Sequence, residues 1–177
     1  VLPFPHYPVC GADPAPDKDI LYSFVGCTNT HLVRKKIMKL PKAKDVVLID
    51  RSSWHFGRRS EKEEKKEYQD ILARSRFSLC PRGTGASTIR FWESMQAGAI
   101  PVLISDAMAL PPEIDWASCC IRIAQHQVHL IDDIIRSIPK DIEDEMRANC
   151  LAVFQLFYGD NFVHTIKWHY EQKKRAS

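Results

Sequence analysis

The sequence lacks the features that mark several specialised classes of protein. It contains no apolar run near the ~18 residues of a membrane-spanning helix. Its first eight residues, VLPFPHYP, have neither the basic segment nor the apolar core of a signal peptide. The chain also lacks a large net charge, because its 25 Lys and Arg nearly balance its 22 Asp and Glu. That excess is too small to indicate a nucleic-acid partner. We therefore expect neither a membrane span nor a bound nucleic acid.

Cysteine and histidine are not arranged as metal ligands. Six cysteines occur without any Cys-x-x-Cys, and the adjacent Cys119 and Cys120 do not normally bridge to each other. Zinc and a disulfide framework are therefore not indicated. His126 and His129 lie three residues apart, but no third ligand is near in sequence, so solvent-facing histidines are favoured. We expect no metal and a soluble or cytoplasmic protein, or a Golgi-lumenal one if an upstream anchor has been removed.

The remaining composition is that of a globular domain, with 45% hydrophobic residues in a chain of 177. Residues 1–18 are rich in proline and are predicted to be an extended linker, and residues 19–177 a single domain with C-terminal helices. The strongly charged run at residues 58–67 mixes both signs and is interpreted as a solvated helix face.

Short apolar runs alternate with helical patterns along this domain. The predicted strands cover residues 20–25, 46–49, 76–80, 100–104 and 119–123. The predicted helices cover residues 29–40, 60–75, 86–97, 128–138, 141–158 and 161–173. This alternation is typical of βαβ units. It predicts a Rossmann-like α/β fold, with a parallel sheet covered by helices on both faces.

The segment FSLCPRGTGASTIRFWE, residues 77–93, combines glycines, hydroxyls and arginines where a strand leads into a helix. Ligands of α/β sheets bind at this edge. Gly83 lets the backbone approach a ligand closely. Ser87 and Thr88 are expected in the first helical turn, beside its free N–H groups. The sequence therefore predicts an anion site, with phosphate as the commonest occupant.

Charged side chains flank this predicted site. Arg82 and Arg90 can neutralise and hydrogen-bond a diphosphate, and Glu93 can accept both hydroxyls of a ribose. The spacing fits neither a Walker A motif nor G-x-G-x-x-G, which argues against a dinucleotide-dependent oxidoreductase. A structural interpretation stays open from the residues alone. In it Arg90 and Glu93 form an i,i+3 ion pair and Ser87 is only a helix cap.

Residues 77–106 resemble the signature of the exostosin family of glycosyltransferases. The resemblance rests on Pro-Arg-Gly at 81–83, Ser-x-x-Arg-x-x-Glu at 87–93, Ala-Gly-Ala-Ile-Pro-Val at 97–102 and Asp-Trp at 115–116. Upstream, Tyr-Ser-Phe-Val-Gly at 22–26 with Arg34 on the next helix is similar to the family's first donor-domain strand and helix. Weaker similarity extends from about residue 20 to residue 140.

The resemblance implies the C-terminal, donor-binding half of a GT-B glycosyltransferase, in which two Rossmann-like domains face each other across a cleft. The implied activity is an inverting hexosyl- or pentosyltransferase that takes a sugar from a nucleotide-sugar, chiefly a UDP-sugar, to a glycan or glycoconjugate acceptor. No cofactor beyond the donor is expected, and turnover would need an N-terminal half in cis or in trans. The substrate-binding residues implied are Arg34, Arg82, Gly83, Ser87, Thr88, Arg90 and Glu93.

The catalytic base is not assigned. An inverting transfer needs a group that takes the acceptor's proton, and His31 is a candidate, although a polar role at the helix start is favoured. After Gly26 this sequence lacks the basic residues of heparan-synthesising members, so their sugar specificity does not carry over. Trp54 and His55 are candidates to flank the base, with packing or a loop role favoured for Trp54. The alternative function is a non-catalytic nucleotide- or glycan-binding module derived from a GT-B half.

Overall fold

The computed structural model describes residues 14, 15, 17–52 and 61–158, with the isolated positions 167, 171 and 174. The strands are β1 (Ile20–Gly26), β2 (Val46–Asp50), β3 (Ser75–Pro81), β4 (Ile100–Ile104) and β5 (Ile121–Arg122). The helices are α1 (Leu32–Ile37), α2 (Glu61–Arg74), α3 (Arg90–Gln96), α4 (Ile131–Arg136) and α5 (Lys140–Phe157). Two 3-10 helices cover Trp116–Ser118 and Val128–Leu130. Trp54 and His55 lie outside the described residues, as do most of the predicted linker and, apart from positions 167 and 171, the predicted helix 161–173.

The five strands form one parallel sheet in the order β2-β1-β3-β4-β5. This confirms the predicted Rossmann-like α/β fold. The chain runs outward from β1 to β2 and then returns past β1 to β3, so the direction of winding reverses between β1 and β3. In open parallel sheets a crevice forms at this reversal, beside the carboxyl ends of the strands. The topology therefore places a ligand site between the ends of β1 and β3.

The central strands are buried because their side chains are apolar on both faces. Every residue of β4 is buried, and its bounds match the prediction. Phe77, Leu79 and Leu103 are completely buried and pack in one continuous core with residues of the surrounding helices. At the edge of the sheet β2 is only half-buried and ends on the exposed Asp50. This difference agrees with a sheet covered on both faces in its centre.

The helix α3 begins four residues later than predicted. Its N-cap is Ile89, which makes no side-chain capping bond, and residues 86–89 precede the helix. Ser105 Oγ donates to the carbonyl of Ala86 at 2.7 Å, which ties this segment to the end of β4 instead. The predicted placement of Ser87 and Thr88 in the first helical turn is therefore wrong. Both hydroxyls lie in the loop, and the structural alternative of Ser87 as a cap is wrong as well.

Other elements are shorter than predicted. The helix α1 starts at Leu32 because His31 precedes it as N-cap, with Nδ1 accepting the Val33 N–H at 3.2 Å. Residues 128–138 divide into a 3-10 turn followed by α4. The strand β5 has only two residues, since the N–H groups of Cys119 and Cys120 both donate to the Trp116 carbonyl. No helix in the described part of the chain is long and apolar enough to cross a membrane.

The amino edge of the sheet is held by buried charge. The carboxylate of Glu143 in α5 is fully buried and accepts hydrogen bonds from Arg76 of β3 and Arg147 of α5. Arg147 also donates to the Gly98 carbonyl. Nearby, Lys18 Nζ lies 2.5 Å from the carbonyl oxygen of Ala73. The bonds of Glu143 and Arg147 join the long C-terminal helix to β3 and to Gly98, just before β4.

Candidate functional site

A cavity of about 690 Å³ opens at the carboxyl edge, where the topology places the crevice. Its volume lies in the range of pockets that take small-molecule ligands. Six of the seven predicted substrate-binding residues line it: Arg34, Gly83, Ser87, Thr88, Arg90 and Glu93. They come from α1, the loop after β3 and the start of α3. The structure thus gathers side chains that lie up to 59 residues apart in the sequence.

The seventh predicted residue, Arg82, lies along its own loop. Its backbone N–H donates to the Ile104 carbonyl at 3.1 Å. Its guanidinium is near the carbonyls of Gly83 and Thr84, at 3.5 and 3.4 Å. The side chain is not part of the cavity wall. Arg82 is therefore at the rim of the site.

Arg34 joins the loops that follow β1 and β3. Its Nε donates to the Arg82 carbonyl at 2.9 Å and its Nη1 to the Cys27 carbonyl at 3.0 Å. A Cβ on Gly83 would lie 3.2 Å from Nη2 of Arg34, closer than side chains normally pack. Gly83 therefore makes room for this arginine.

Arg90 lies at the end of β1, where its Nη2 donates to the Val25 carbonyl. Its guanidinium carbon is 4.7 Å from the ring centroid of Phe24 and 5.6 Å from that of Tyr68. A Cβ on Gly26 would lie 2.9 Å from Nη2, so this glycine admits the guanidinium. The Nε and Nη1 atoms are buried and have no hydrogen-bond acceptor among the described residues. A buried donor without an acceptor costs about 1–3 kcal/mol, and more when it is charged.

The two arginines lie beside the same aromatic ring. Both guanidinium groups lie over the ring of Phe24, Arg34 at 5.9 Å. Burial, and then the like charge of Arg90, lowers the pKa of Arg34. Within the described part of the chain neither arginine forms an ion pair with a carboxylate. The site therefore carries uncompensated positive charge.

Glu93 bonds to Tyr68 and does not form the ion pair with Arg90 that the structural interpretation predicted. Its Oε2 accepts a hydrogen bond from the hydroxyl of Tyr68 at 2.6 Å, and the residue is 8% exposed. Its carboxylate lies on the cavity wall. The i,i+3 pairing with Arg90 is not formed in the described structure, which leaves the arginine's charge open to a ligand.

Four further residues line the cavity that sequence reasoning missed: Arg51, Glu64, Lys65 and Tyr68. The last three lie on α2 at i, i+1 and i+4, so part of the charged run forms a wall of the site and is not simply a solvated face. Arg51 closes this wall with ion pairs to Glu64 at 3.1 Å and Glu67 at 2.6 Å. The available signal was a tyrosine four residues after Glu64, directly after the charged run.

The loop after β1 is fixed to the end of β2. Asp50 accepts from the N–H and hydroxyl of Thr28 at 3.1 and 2.8 Å, and from the N–H of Ser52 at 2.9 Å. Burial alone would raise the pKa of Asp50, but the hydroxyl of Ser52, which also donates to Asp50, together with these hydrogen bonds holds it below its usual value. His31 caps α1 and is outside the cavity wall. The favoured interpretation of His31 as a helix-start residue is thus confirmed.

Metal chemistry has no visible ligand set here. In the ranges that the structure describes, no three His, Cys, Asp or Glu side chains lie close enough together to hold a metal ion. What the cavity does offer is cationic: four Arg and Lys side chains against two carboxylates on its wall. This arrangement suits an anionic ligand.

Comparisons with known proteins place the chain in a family. Residues 1–138 match the family model for the Exostosin GT47 domain. Exostosin-1 of Drosophila melanogaster is 30% identical over 159 residues, which cover 81% of this chain and 21% of that protein. The exostosin-1 homolog of Caenorhabditis elegans is 32% identical over 102 residues, 56% of this chain and 27% of that protein. Exostosin-1b of Danio rerio is 31% identical over 138 residues, 71% and 19% respectively. The chain therefore spans about a fifth to a quarter of the length of these relatives.

Proposed function

Because the chain belongs to the exostosin family of glycosyltransferases, we propose that its carboxyl-edge cavity binds the diphosphate of a nucleotide-sugar donor. The donor in this proposal is a UDP-sugar, and the sugar passes with inversion to a glycan or glycoconjugate acceptor. A second Rossmann-like domain, in cis or in trans, would face the cavity in a GT-B arrangement and complete the cleft. The chain described here would be the donor-binding half.

The observation that carries the proposal is the pair of arginines, Arg34 and Arg90, at the reversal of winding between β1 and β3. They add two positive charges that no carboxylate in the described residues pairs with. The diphosphate of a nucleotide-sugar carries about two negative charges, so the ligand matches the deficit. Guanidinium groups hydrogen-bond phosphate oxygens in a fork. The Nε and Nη1 of Arg90 are buried and have no acceptor among the described residues, so a phosphate oxygen that reached them would supply one.

The rest of the wall suits the remaining parts of a nucleotide. The hydroxyls of Ser87 and Thr88 belong to the loop that faces the arginines, where they can donate to phosphate oxygens. The carboxylate of Glu93 is an acceptor for ribose hydroxyls. Arg82 at the rim contributes a smaller share of the charge, since its side chain lies along its own loop.

The transfer step follows from this distribution of charge. When the bond between the anomeric carbon and the phosphate oxygen breaks, its electron pair stays on the departing nucleoside diphosphate. Arg34 and Arg90 stabilise the negative charge that develops there. The acceptor hydroxyl attacks the opposite face of the anomeric carbon and gives its proton to a general base. We assign that base to the facing domain, since His31 is engaged as a helix cap.

Calorimetric titration of the chain with UDP, GDP and TDP tests the proposal. We expect UDP to bind and Arg90→Ala to weaken it about 30-fold, as for the loss of charge-assisted hydrogen bonds. Arg136→Ala is the matched control, because Arg136 pairs with Asp45 and Asp132 away from the cavity. It should leave Kd unchanged. Equal affinities of the wild type and Arg90→Ala, or no binding of any nucleotide, would contradict a donor site here.

A further inference from the structure

Tyr68 of α2 contacts both side chains on which the proposed donor site depends. Its hydroxyl lies 2.6 Å from Oε2 of Glu93. The centroid of its ring lies 5.6 Å from the guanidinium carbon of Arg90. The ring also packs against two small apolar clusters, which include Leu72 and Ile71 of its own helix. A tyrosine held in this way has little freedom to reorient.

We propose that Tyr68 is a positioning residue of the donor site, one that sets the Glu93 carboxylate for the ribose and holds the Arg90 guanidinium for the diphosphate. The inference rests on the proposed function. It goes beyond that function because it joins Glu93 and Arg90, the two predicted ligand-binding side chains, to a third residue that positions both. That residue lies on α2, directly after the run at residues 58–67 that was first interpreted as a solvated face.

The hydroxyl of Tyr68 is the donor in the hydrogen bond to Glu93. An ionised carboxylate only accepts hydrogen bonds, so Tyr68 donates. Burial, and then the negative charge of Glu93, raises the pKa of Tyr68 far above its usual value of 10, although the charge of Arg90 opposes this. The hydroxyl therefore keeps its proton at physiological pH. With Oε2 engaged, Oε1 is the oxygen left for a ribose hydroxyl.

The bond also prepares Glu93 before the ligand arrives. A free glutamate side chain loses rotational freedom when it binds, and that loss weakens the complex. Glu93 already has its carboxylate in place on the cavity wall through Tyr68. Removing the hydroxyl should therefore weaken recognition of the ribose more than contact with the phosphates.

The ring acts on Arg90 in a second way. Phe24 and Tyr68 both lie within cation–π distance of this guanidinium, at 4.7 and 5.6 Å. These contacts restrict where Nε and Nη1 can point. Tyr68→Phe keeps the ring beside Arg90 and removes the hydroxyl, so it measures what the hydroxyl alone contributes. Tyr68→Leu removes both.

The chain offers a matched control in Tyr22. Its hydroxyl donates to Oδ1 of Asp132 at 2.9 Å, and the side chain is fully buried. It is thus a second tyrosine bonded to a carboxylate, but neither residue lines the cavity. Tyr22→Phe measures what the loss of such a hydroxyl does to stability alone.

The experiment compares UDP with 2′-deoxy-UDP and 3′-deoxy-UDP by calorimetry, and records Tm for each variant. We expect the wild type to prefer UDP over the deoxy ligands. Tyr68→Phe should weaken the binding of UDP about 10-fold and the binding of the deoxy ligands less. Its preference for UDP over the deoxy ligands should therefore fall to that of Glu93→Ala. Tyr22→Phe should lower Tm without changing the preference. The double variant Tyr68→Phe/Glu93→Ala should bind UDP like Glu93→Ala alone, as expected for coupled residues.

Each other result overturns the inference and separates it from the proposed function. If Tyr68→Phe keeps the wild-type preference, or weakens all three ligands equally with a lower Tm, Tyr68 is structural only. Loss of UDP binding in Arg90→Ala would then leave the donor site standing. If the wild type does not distinguish UDP from its deoxy analogues, the role of Glu93 fails, and that of Tyr68 fails with it. If the wild type binds no nucleotide, both proposals fall.

Discussion

Each edge of the sheet carries a pair of partly buried arginines, and the two pairs differ in what lies between them. At the amino edge Arg76 and Arg147 share the buried carboxylate of Glu143. At the carboxyl edge Arg34 and Arg90 share the ring of Phe24 and donate to backbone carbonyls. A buried charge with a partner can be purely structural, whereas a charge without one marks a site that a ligand completes.

The cavities at the two edges differ in the same way, in how far the charges on their walls are paired. The one at the amino edge, of about 490 Å³, is lined by Arg76, Arg147 and Glu143 together. Its wall holds four cationic side chains against three carboxylates, and Arg76, Arg147 and Lys140 all form ion pairs within it. The larger cavity at the carboxyl edge keeps an excess of positive charge on its wall. Volume alone does not distinguish a binding site here, but the balance of charge does.

The largest effect on stability should come from removing the carboxylate that Arg76 and Arg147 share. We expect Glu143→Gln to lower the free energy of unfolding by about 3 kcal/mol, because Arg76 and Arg147 would lose their shared carboxylate. Urea denaturation measures this change. Glu145→Gln, at an exposed position of the same helix, should change stability by less than about 0.5 kcal/mol. UDP affinity of the folded Glu143→Gln variant should match the wild type, and a loss of affinity would show that the edges are not independent.

The pH dependence of the same variant gives an internal check. Burial would raise the pKa of Glu143, but the hydrogen bond and charge of Arg76, with the charge of Arg147, lower it below its usual value of 4.5. The stabilisation is therefore fully present above pH 4.5 and is lost as the pH falls through the lower folded-state value. The difference in stability between wild type and Glu143→Gln should shrink in that range. A difference that persists at the lowest pH would not come from ionisation.

A smaller effect should follow when a carboxylate is added to the uncompensated edge. Ser87→Asp places a negative charge on the wall that holds Arg34 and Arg90. We expect UDP binding to weaken about 10-fold, through competition for the arginines and repulsion of the phosphates. Ala148→Asp adds the same charge at an exposed position of α5 and should leave Kd unchanged. Calorimetry at two salt concentrations should show the effect shrinking as salt rises; an effect equal in both variants would point to net charge alone.

The smallest effect is expected at the rim. Arg82→Ala should weaken UDP about 3-fold or less, since its side chain lies along its own loop and faces solvent-exposed positions. The measurement is the same titration used for Arg90→Ala, which is its natural reference. A loss of UDP affinity as large as that of Arg90→Ala would show that the Arg82 side chain moves into the cavity when the ligand binds. Arg82 would then count as a residue of the cavity wall.

The sheet could be predicted from the sequence because its signals are local. Ile100–Ile104 is an unbroken apolar run, and a run of this length between a glycine and a polar residue has few alternatives to a buried strand. The start of α3 was misplaced for the opposite reason. Ser87 and Thr88 have the composition of a helix cap, but Ser105, from a neighbouring strand's end, holds Ala86 outside the helix. That contact spans 19 residues, which a local pattern does not report.

The candidate site divides in the same way. Gly83, Arg90 and Glu93 stand together in one motif, so their shared location at the carboxyl edge was predictable. Tyr68 was missed because its bond to Glu93 spans 25 residues and depends on how α2 and α3 pack. The structure also gave Gly83 a different task from the predicted one. It makes room for the guanidinium of Arg34, a contact that only the folded chain brings about.

Under the proposed function, a bound nucleotide would supply acceptors for the Nε and Nη1 atoms of Arg90, which have none among the described residues. The free domain carries about 1–3 kcal/mol for leaving such buried donors unsatisfied, and a bound diphosphate relieves it. Folding and donor supply are then linked by mass action, because a ligand that binds only the folded chain shifts the folding equilibrium in proportion to its concentration. Under the proposed function, the domain is expected to be less stable where nucleotide-sugar is scarce, and its abundance should follow the supply of that proposed donor.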